Sequence, residues 1–186
     1  MPSLILARHP QVNVSPGICY GRMDVELQHG WETFSDGLAM AMRAASCLTI
    51  YSSPAARCQA VALRLTLESK KPPCIDARLL EYDFGDWEGM AWSDVDRASL
   101  ERWNQAPLAF SPPNGETGAS LLQRVVDFWD DISTTREPIC VISHGGPLRI
   151  LSALASGQTP DLLDPSQPQG SIRIFTPRST YLASDV

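Results

Sequence analysis

The sequence predicts an α/β fold, a parallel sheet covered by helices, and three observations predict it. Short apolar runs alternate with amphipathic segments along the 186 residues, the pattern of strands joined by crossover helices. Three of those runs end in residues of unusual chemistry, as strands feeding a ligand site do in such sheets. With 44% hydrophobic and 19% charged residues, the chain has the make-up of one ordinary domain that needs no staple.

The elements follow in order. The opening MPSLILARHP lacks a basic start and reaches Arg8 after a very short apolar run, so it reads as a strand over 3–7 and not as a signal peptide. His29 and Gly30 mark a helix-start turn. A second strand covers 48–52, and Ser53 and Pro54 have the chemistry of an N-cap and first helical residue for a helix reaching about residue 69. Lys71, Pro72 and Pro73 end it before a weaker strand over 74–79. Ser93 and Asp96, at capping-box-like spacing, open a short helix over 93–104. Pro107, Pro112, Pro113 and Gly115 make the surrounding stretch irregular, and residues 82–117 read as a lid-like insertion in a single domain over 1–186. Leu121, Leu122, Val125, Val126, Phe128, Trp129 and Ile132 recur at helical spacing over 120–133, with Thr117 or Ser120 as cap. Strands at 139–143 and 171–175 complete the set.

Composition excludes several classes. A net charge of −6 argues against nucleic acid or an anionic membrane as partner. No stretch approaches the ~20 apolar residues of a membrane span. The five cysteines, Cys19, Cys47, Cys58, Cys74 and Cys140, form no C-x-x-C pair and read as reduced, mostly buried thiols. A soluble, cytoplasmic protein is expected, as monomer or homodimer.

The strand ends carry the chemistry. LARHP presents Arg8 and His9, YSSPAARC places Arg57 in the first turn of a helix, and ISHGGPLR places His144 at a helix start. A single such histidine is ordinarily structural, and an arginine at a helix N-terminus opposes the dipole. Together they are explained by an anion seated among them, and phosphate suits two arginine forks and two imidazoles. His9 would attack phosphorus through a neutral ring nitrogen, kept neutral by the arginines, while Arg8, Arg57 and His144 bind the phosphoryl oxygens. A leaving alkoxide needs a proton. LLEYDFGDWEG offers Glu81, which partial burial would have to keep protonated, with Asp83, Asp86 and Glu88 as competitors. With three histidines, of which His9 and His144 alone stand at strand ends that can meet, and no H-x-x-x-H spacing, no metal and no other cofactor is expected.

LARHP, YSSPAARCQAVA, LLEYDFGDWEG, PNGET and ISHGGPLR, in this order, resemble the signature blocks of the histidine phosphatase (phosphoglycerate mutase-like) superfamily. The resemblance implies a three-layer α/β/α sandwich, a phosphohistidine on His9, phosphate binding by Arg8, Arg57 and His144, and Glu81 as proton donor. PGICYGRMDVEL is similar to the α-ribazole phosphatase branch and places Tyr20, Gly21 and Arg22 at the substrate rim. Pro10 and Gln11 depart from the glycine and glutamate usual after the nucleophile, and Asn13 stands off register. The expected substrate is a small phosphomonoester, foremost α-ribazole 5'-phosphate of cobalamin biosynthesis. A broad sugar-phosphate or protein phosphohistidine phosphatase is the alternative, and a catalytically silent phospho-ligand-binding domain is the reading of another class. Trp87, Trp92, Trp103 and Phe110 are placed to stack on a flat ring or to pack beneath the insertion.

Overall fold

The computed structural model describes residues 2–176. Three apolar runs form β1 (Leu4–Arg8), β2 (Thr49–Ser52) and β4 (Ile139–Ser143). With β3 (Cys74–Ile75) and β5 (Ile172–Phe175) they make one sheet in the order β3-β2-β4-β1-β5. Every pairing is parallel except that of β5 with β1, so the sheet is mostly parallel with one antiparallel edge.

Strand alternation builds two cores. Leu4, Leu6, Ile139 and Val141 pack on one face against α5 (Gly118–Ser133) and α6 (Gly145–Ala155), where Phe128 is fully buried. Ile5, Ala7, Ile50, Cys140 and Ile142 pack on the other face against α1 (Trp31–Ala44) and α2 (Ala56–Arg64). Residues buried on both faces explain why these strands read as continuous apolar runs. Burial of a Leu or Ile here stabilises the fold by roughly 1.5–3 kcal/mol per side chain.

Boundaries differ where side chains do other work. The helix expected over 53–69 is α2 followed, after Leu65, by α3 (Thr66–Ser69), and Ser53 is not its cap. The strand expected over 74–79 ends at Ile75, because Asp76 accepts the Arg78 N–H and starts a 3-10 turn, Ala77–Leu79. The helix expected from Ser93 is α4 (Arg97–Gln105), capped by Asp96, whose Oδ2 accepts the Ser99 N–H at 2.9 Å. Thr117 caps α5.

The stretch 82–117 holds a small core of its own, in which Trp87, Val95 and Cys19 are buried under Phe84, Trp92, Trp103 and Phe110. Its neck is closed by backbone contact. A Cβ on Gly115 would stand 2.4 Å from the Asp83 carbonyl oxygen and one on Gly85 2.1 Å from that of Pro113, so only glycine lets these strands of chain touch.

Candidate active site

The parallel register brings the expected residues to one rim. Arg8 pairs with Ser143, and Ser52 with Ile142. Beyond those pairs the His9 N–H bonds the Ser143 carbonyl at 3.1 Å, and the Ser53 N–H bonds the Ile142 carbonyl at 3.0 Å. The sheet thus sets down His9, Ser53 and His144 side by side at the carboxyl ends of β1, β2 and β4, where ligands bind in open α/β sheets. The rings of His9 and His144 lie edge to face with centroids 5.2 Å apart.

His9 is 1% exposed, and its Nδ1 lies 2.7 Å from the Pro10 carbonyl oxygen. That oxygen only accepts, so Nδ1 carries the proton and Nε2 keeps its lone pair. Burial, then the Arg57 charge, and lastly that of Arg8, push the His9 pKa down from 6.5 to about 3, against the opposing pull of the Pro10 bond. The ring is neutral at neutral pH chiefly because it is dry, with the arginines second. Pro10 has no N–H to offer, yet its carbonyl fixes the tautomer.

Arg57 is buried. Its Nη1 donates to the Met23 carbonyl at 2.8 Å, and its Nη2 to the Gly21 carbonyl at 2.6 Å and to His144 Nδ1 at 3.2 Å. Because a guanidinium only donates, His144 Nδ1 is the acceptor, so Nε2–H donates to Ser53 Oγ at 2.8 Å. Burial, followed by the Arg57 charge, holds the His144 pKa well below its ordinary value. Both imidazoles are therefore neutral bases. Arg8 is anchored by the Gln167 carbonyl at 2.6 Å. Each of the two arginines keeps a buried Nε–H with no partner among the described residues, which a native interior leaves only for a reason.

A cleft of about 260 Å³ opens beside these residues, with Arg8, Tyr20, Gly21, Glu81 and Arg149 in its lining together with the aromatic Phe84, Trp92 and Trp103. Glu81 is the carboxylate that faces it. Its Oε1 accepts the N–H of Tyr82 at 2.9 Å and of Gly146 at 3.0 Å, which ties it to the first turn of α6 and leaves Oε2 without a hydrogen bond to the described residues. The competitors are used otherwise: Asp83 binds Arg22, Glu88 accepts the Arg22 and Phe84 N–H groups, and Asp86 holds Asn114.

Of the expected rim residues, Tyr20 and Gly21 line the cleft, Tyr20 with its ring 5.3 Å beneath Arg57 and its hydroxyl bonded to Gln169. Arg22 does not line it. Its guanidinium turns to Asp83 at 3.1 Å and Glu116 at 3.2 Å. Of the expected aromatic set, Trp92 and Trp103 reach the cleft while Trp87 and Phe110 pack beneath. Three further residues stand at the site that the sequence did not assign to it. Ser53 holds His144, Cys58 Sγ lies 3.6 Å from the same nitrogen, and Arg149 lines the cleft with its Nε buried and unpartnered. Arg149 was detectable as the lone charge in the apolar helix GGPLRILSALA. Among the described residues no group of three or more His, Cys, Asp or Glu is placed to hold a metal ion.

An α/β sandwich with two imidazoles, two guanidinium groups and a carboxylate gathered at its strand ends defines a histidine-dependent phosphatase, a phosphoric monoester hydrolase. The profile of the histidine phosphatase superfamily (branch 1) matches residues 4–182, and the chain belongs to that superfamily. It is 29% identical over 157 residues to phosphoserine phosphatase 1 of Hydrogenobacter thermophilus, which covers 81% of this chain and 74% of that protein. A bifunctional protein of Mycobacterium tuberculosis is 30% identical over 159 residues, and there the match spans 82% of this chain but 43% of the longer relative. Among solved structures, a putative alpha-ribazole-5'-P phosphatase from Escherichia coli superposes with a TM-score of 0.78 at 25% identity, covering 94% of this chain and 90% of that one. Mycobacterial glucosyl-3-phosphoglycerate phosphatase in complex with VO3 superposes with a TM-score of 0.79 over 94% of this chain and 92% of that one; its 22% identity speaks for the fold alone.

Proposed function

We propose that this phosphatase is a cytoplasmic phosphomonoesterase that works through a phosphohistidine on His9, with α-ribazole 5'-phosphate as its substrate. The observation that carries the reading is the buried, neutral His9 ring with its proton pinned on Nδ1. Its Nε2 lone pair attacks phosphorus, the P–O ester bond breaks, and the leaving alkoxide takes the proton of Glu81. The Pro10 carbonyl receives the positive charge that develops on the ring through the Nδ1–H. Arg57 exchanges its carbonyl partners on the 21–23 loop for phosphoryl oxygens, and Arg8 offers its unpartnered Nε–H. Water then attacks phospho-His9, its proton returns to the Glu81 carboxylate, and inorganic phosphate leaves.

The aromatic side of the cleft supports a leaving group with a flat ring, such as the benzimidazole of α-ribazole. Arg149 favours a second reading, a broad-specificity phosphatase of sugar phosphates or phosphorylated organic acids whose carboxylate that guanidinium would meet. A third reading, a silent phospho-ligand binder, leaves the free Oε2 of Glu81 without a purpose.

The experiment is a rapid quench with labelled substrate. An acid-labile, alkali-stable phosphoprotein forms in the wild type and not in His9→Ala; undiminished turnover in that variant ends the mechanism. Rates over α-ribazole 5'-phosphate, O-phosphoserine, 3-phosphoglycerate, fructose bisphosphate and a phosphohistidine peptide then assign the substrate.

A further inference from the structure

Glu81 lies in a segment, residues 80–84, that belongs to no helix or strand. A ladder cannot hold its backbone, so something else must. The Glu81 carbonyl oxygen accepts Nε of Arg22 at 3.1 Å from one side and Nη2 of Arg124 at 3.0 Å from the other. Arg124 also donates through Nη1 to the carbonyls of Leu80 and Arg78, each at 2.7 Å.

Glu116 binds the two arginines together. Its Oε1 accepts Arg124 Nη2 at 2.6 Å, Arg22 Nη2 at 3.2 Å and the Asp83 N–H at 3.0 Å, while its Oε2 accepts Arg124 Nε at 3.1 Å. The Glu116 and Arg124 side chains are only 13% and 17% exposed, so solvent screens this pair less than a surface bridge. The cluster joins α5, the loop carrying Arg22 and the neck of the insertion on the one carbonyl that belongs to Glu81. None of its charges lines the cleft.

We propose that Glu116, with Arg22 and Arg124, is a positioning device for proton donation: it fixes the Glu81 backbone so that the carboxyl held on Gly146 stays within reach of the leaving oxygen. The assignment rests on Glu81 being the donor. Proton transfer requires heavy atoms within roughly 3 Å, and a misplacement of about 1 Å costs on the order of 100-fold in rate. Loosening the carbonyl clamp therefore acts on bond cleavage that needs a proton and spares cleavage that does not.

The test compares benzyl phosphate, whose alkoxide must be protonated, with p-nitrophenyl phosphate, whose phenolate leaves unaided. The readout is kcat/KM, which reports transfer to His9 and not the later hydrolysis. In Glu116→Gln the benzyl ester is expected to lose about 10- to 100-fold and the nitrophenyl ester less than about threefold. Should Glu116→Gln fail to fold, Arg22→Gln gives the same reading, since that side chain is 31% exposed and its loss removes one of the two donors to the Glu81 carbonyl. Equal losses on both esters, or loss on neither, overturn the proposal. Glu81→Gln is run beside them: if it too shows no leaving-group selectivity, the donor assignment fails, whereas selectivity in Glu81→Gln alone condemns only the positioning device.

Discussion

Nη2 of Arg57 stands 3.2 Å from Nδ1 of His144, so this histidine serves as acceptor for an arginine while its Nε2–H is given to Ser53. Arg57→Lys cannot span Met23, Gly21 and His144 at once. Its kcat/KM on p-nitrophenyl phosphate is expected to fall about 100-fold or more, with most of the loss in kcat. A change under about threefold in steady-state kinetics would remove Arg57 from the phosphoryl-binding set.

The two buried neutral imidazoles tie stability to pH. The folded pKa of His9, about 3, lies below its unfolded value near 6.5, so the unfolded chain binds more protons and stability falls as pH drops from about 6.5 towards about 3. Between pH 7.5 and 5 the His9 imidazole removes about 2 kcal/mol, since each pKa unit is worth about 1.4 kcal/mol. His144 acts in the same direction. Urea unfolding at the two pH values is expected to show the His9→Asn variant losing about 2 kcal/mol less than wild type.

A Cβ on Gly146 would stand 2.6 Å from Glu81 Oε1 and 3.4 Å from Leu121. Gly146→Ala therefore displaces the carboxyl rather than the core. Benzyl phosphate turnover is expected to fall about tenfold or more while thermal unfolding moves by only a few degrees. Matching losses on benzyl and p-nitrophenyl phosphate would assign the effect to the helix start instead.

Trp103 and Arg149 both line the cleft and discriminate the two substrate readings. Trp103→Ala, which also removes stacking on Tyr82 and Trp92, is expected to lower kcat/KM for α-ribazole 5'-phosphate about tenfold and spare O-phosphoserine. Arg149→Ala is expected to do the converse. A panel in which Arg149→Ala alone matters identifies the substrate as an acid.

Cys74 is the exposed thiol, whereas Cys19, Cys47, Cys58 and Cys140 are buried. Burial pushes the Cys58 thiol up to about 12, so its closeness to His144 does not make it a nucleophile. Native protein is expected to release about one equivalent of thionitrobenzoate from Ellman's reagent within minutes, and none in Cys74→Ser.

The sheet and the meeting of His9, Arg57 and His144 at one rim were legible because each rests on local chemistry: an apolar run, then one of these residues at or just past its end. Register did the rest, since parallel neighbours must finish on the same rim. What was not legible depends on partners distant in sequence. Arg22 looked like a rim cation because Asp83 and Glu116 lie 61 and 94 positions away. Ser53 looked like a helix cap, yet its hydroxyl serves a histidine 91 positions on. The strand over 74–79 was overextended because Asp76 diverts the chain into a turn.

The glycine neck of the stretch 82–117 has a consequence for engineering. Gly85 and Gly115 fasten the base of this loop by backbone contact, and no side chain there can be varied without prising it open. Trp92 and Trp103, which line the cleft, are held by side-chain packing instead. Libraries that randomise Trp92, Trp103 and Ile18 should therefore retune which alcohol the pocket accepts while the chemical machinery is inherited unchanged.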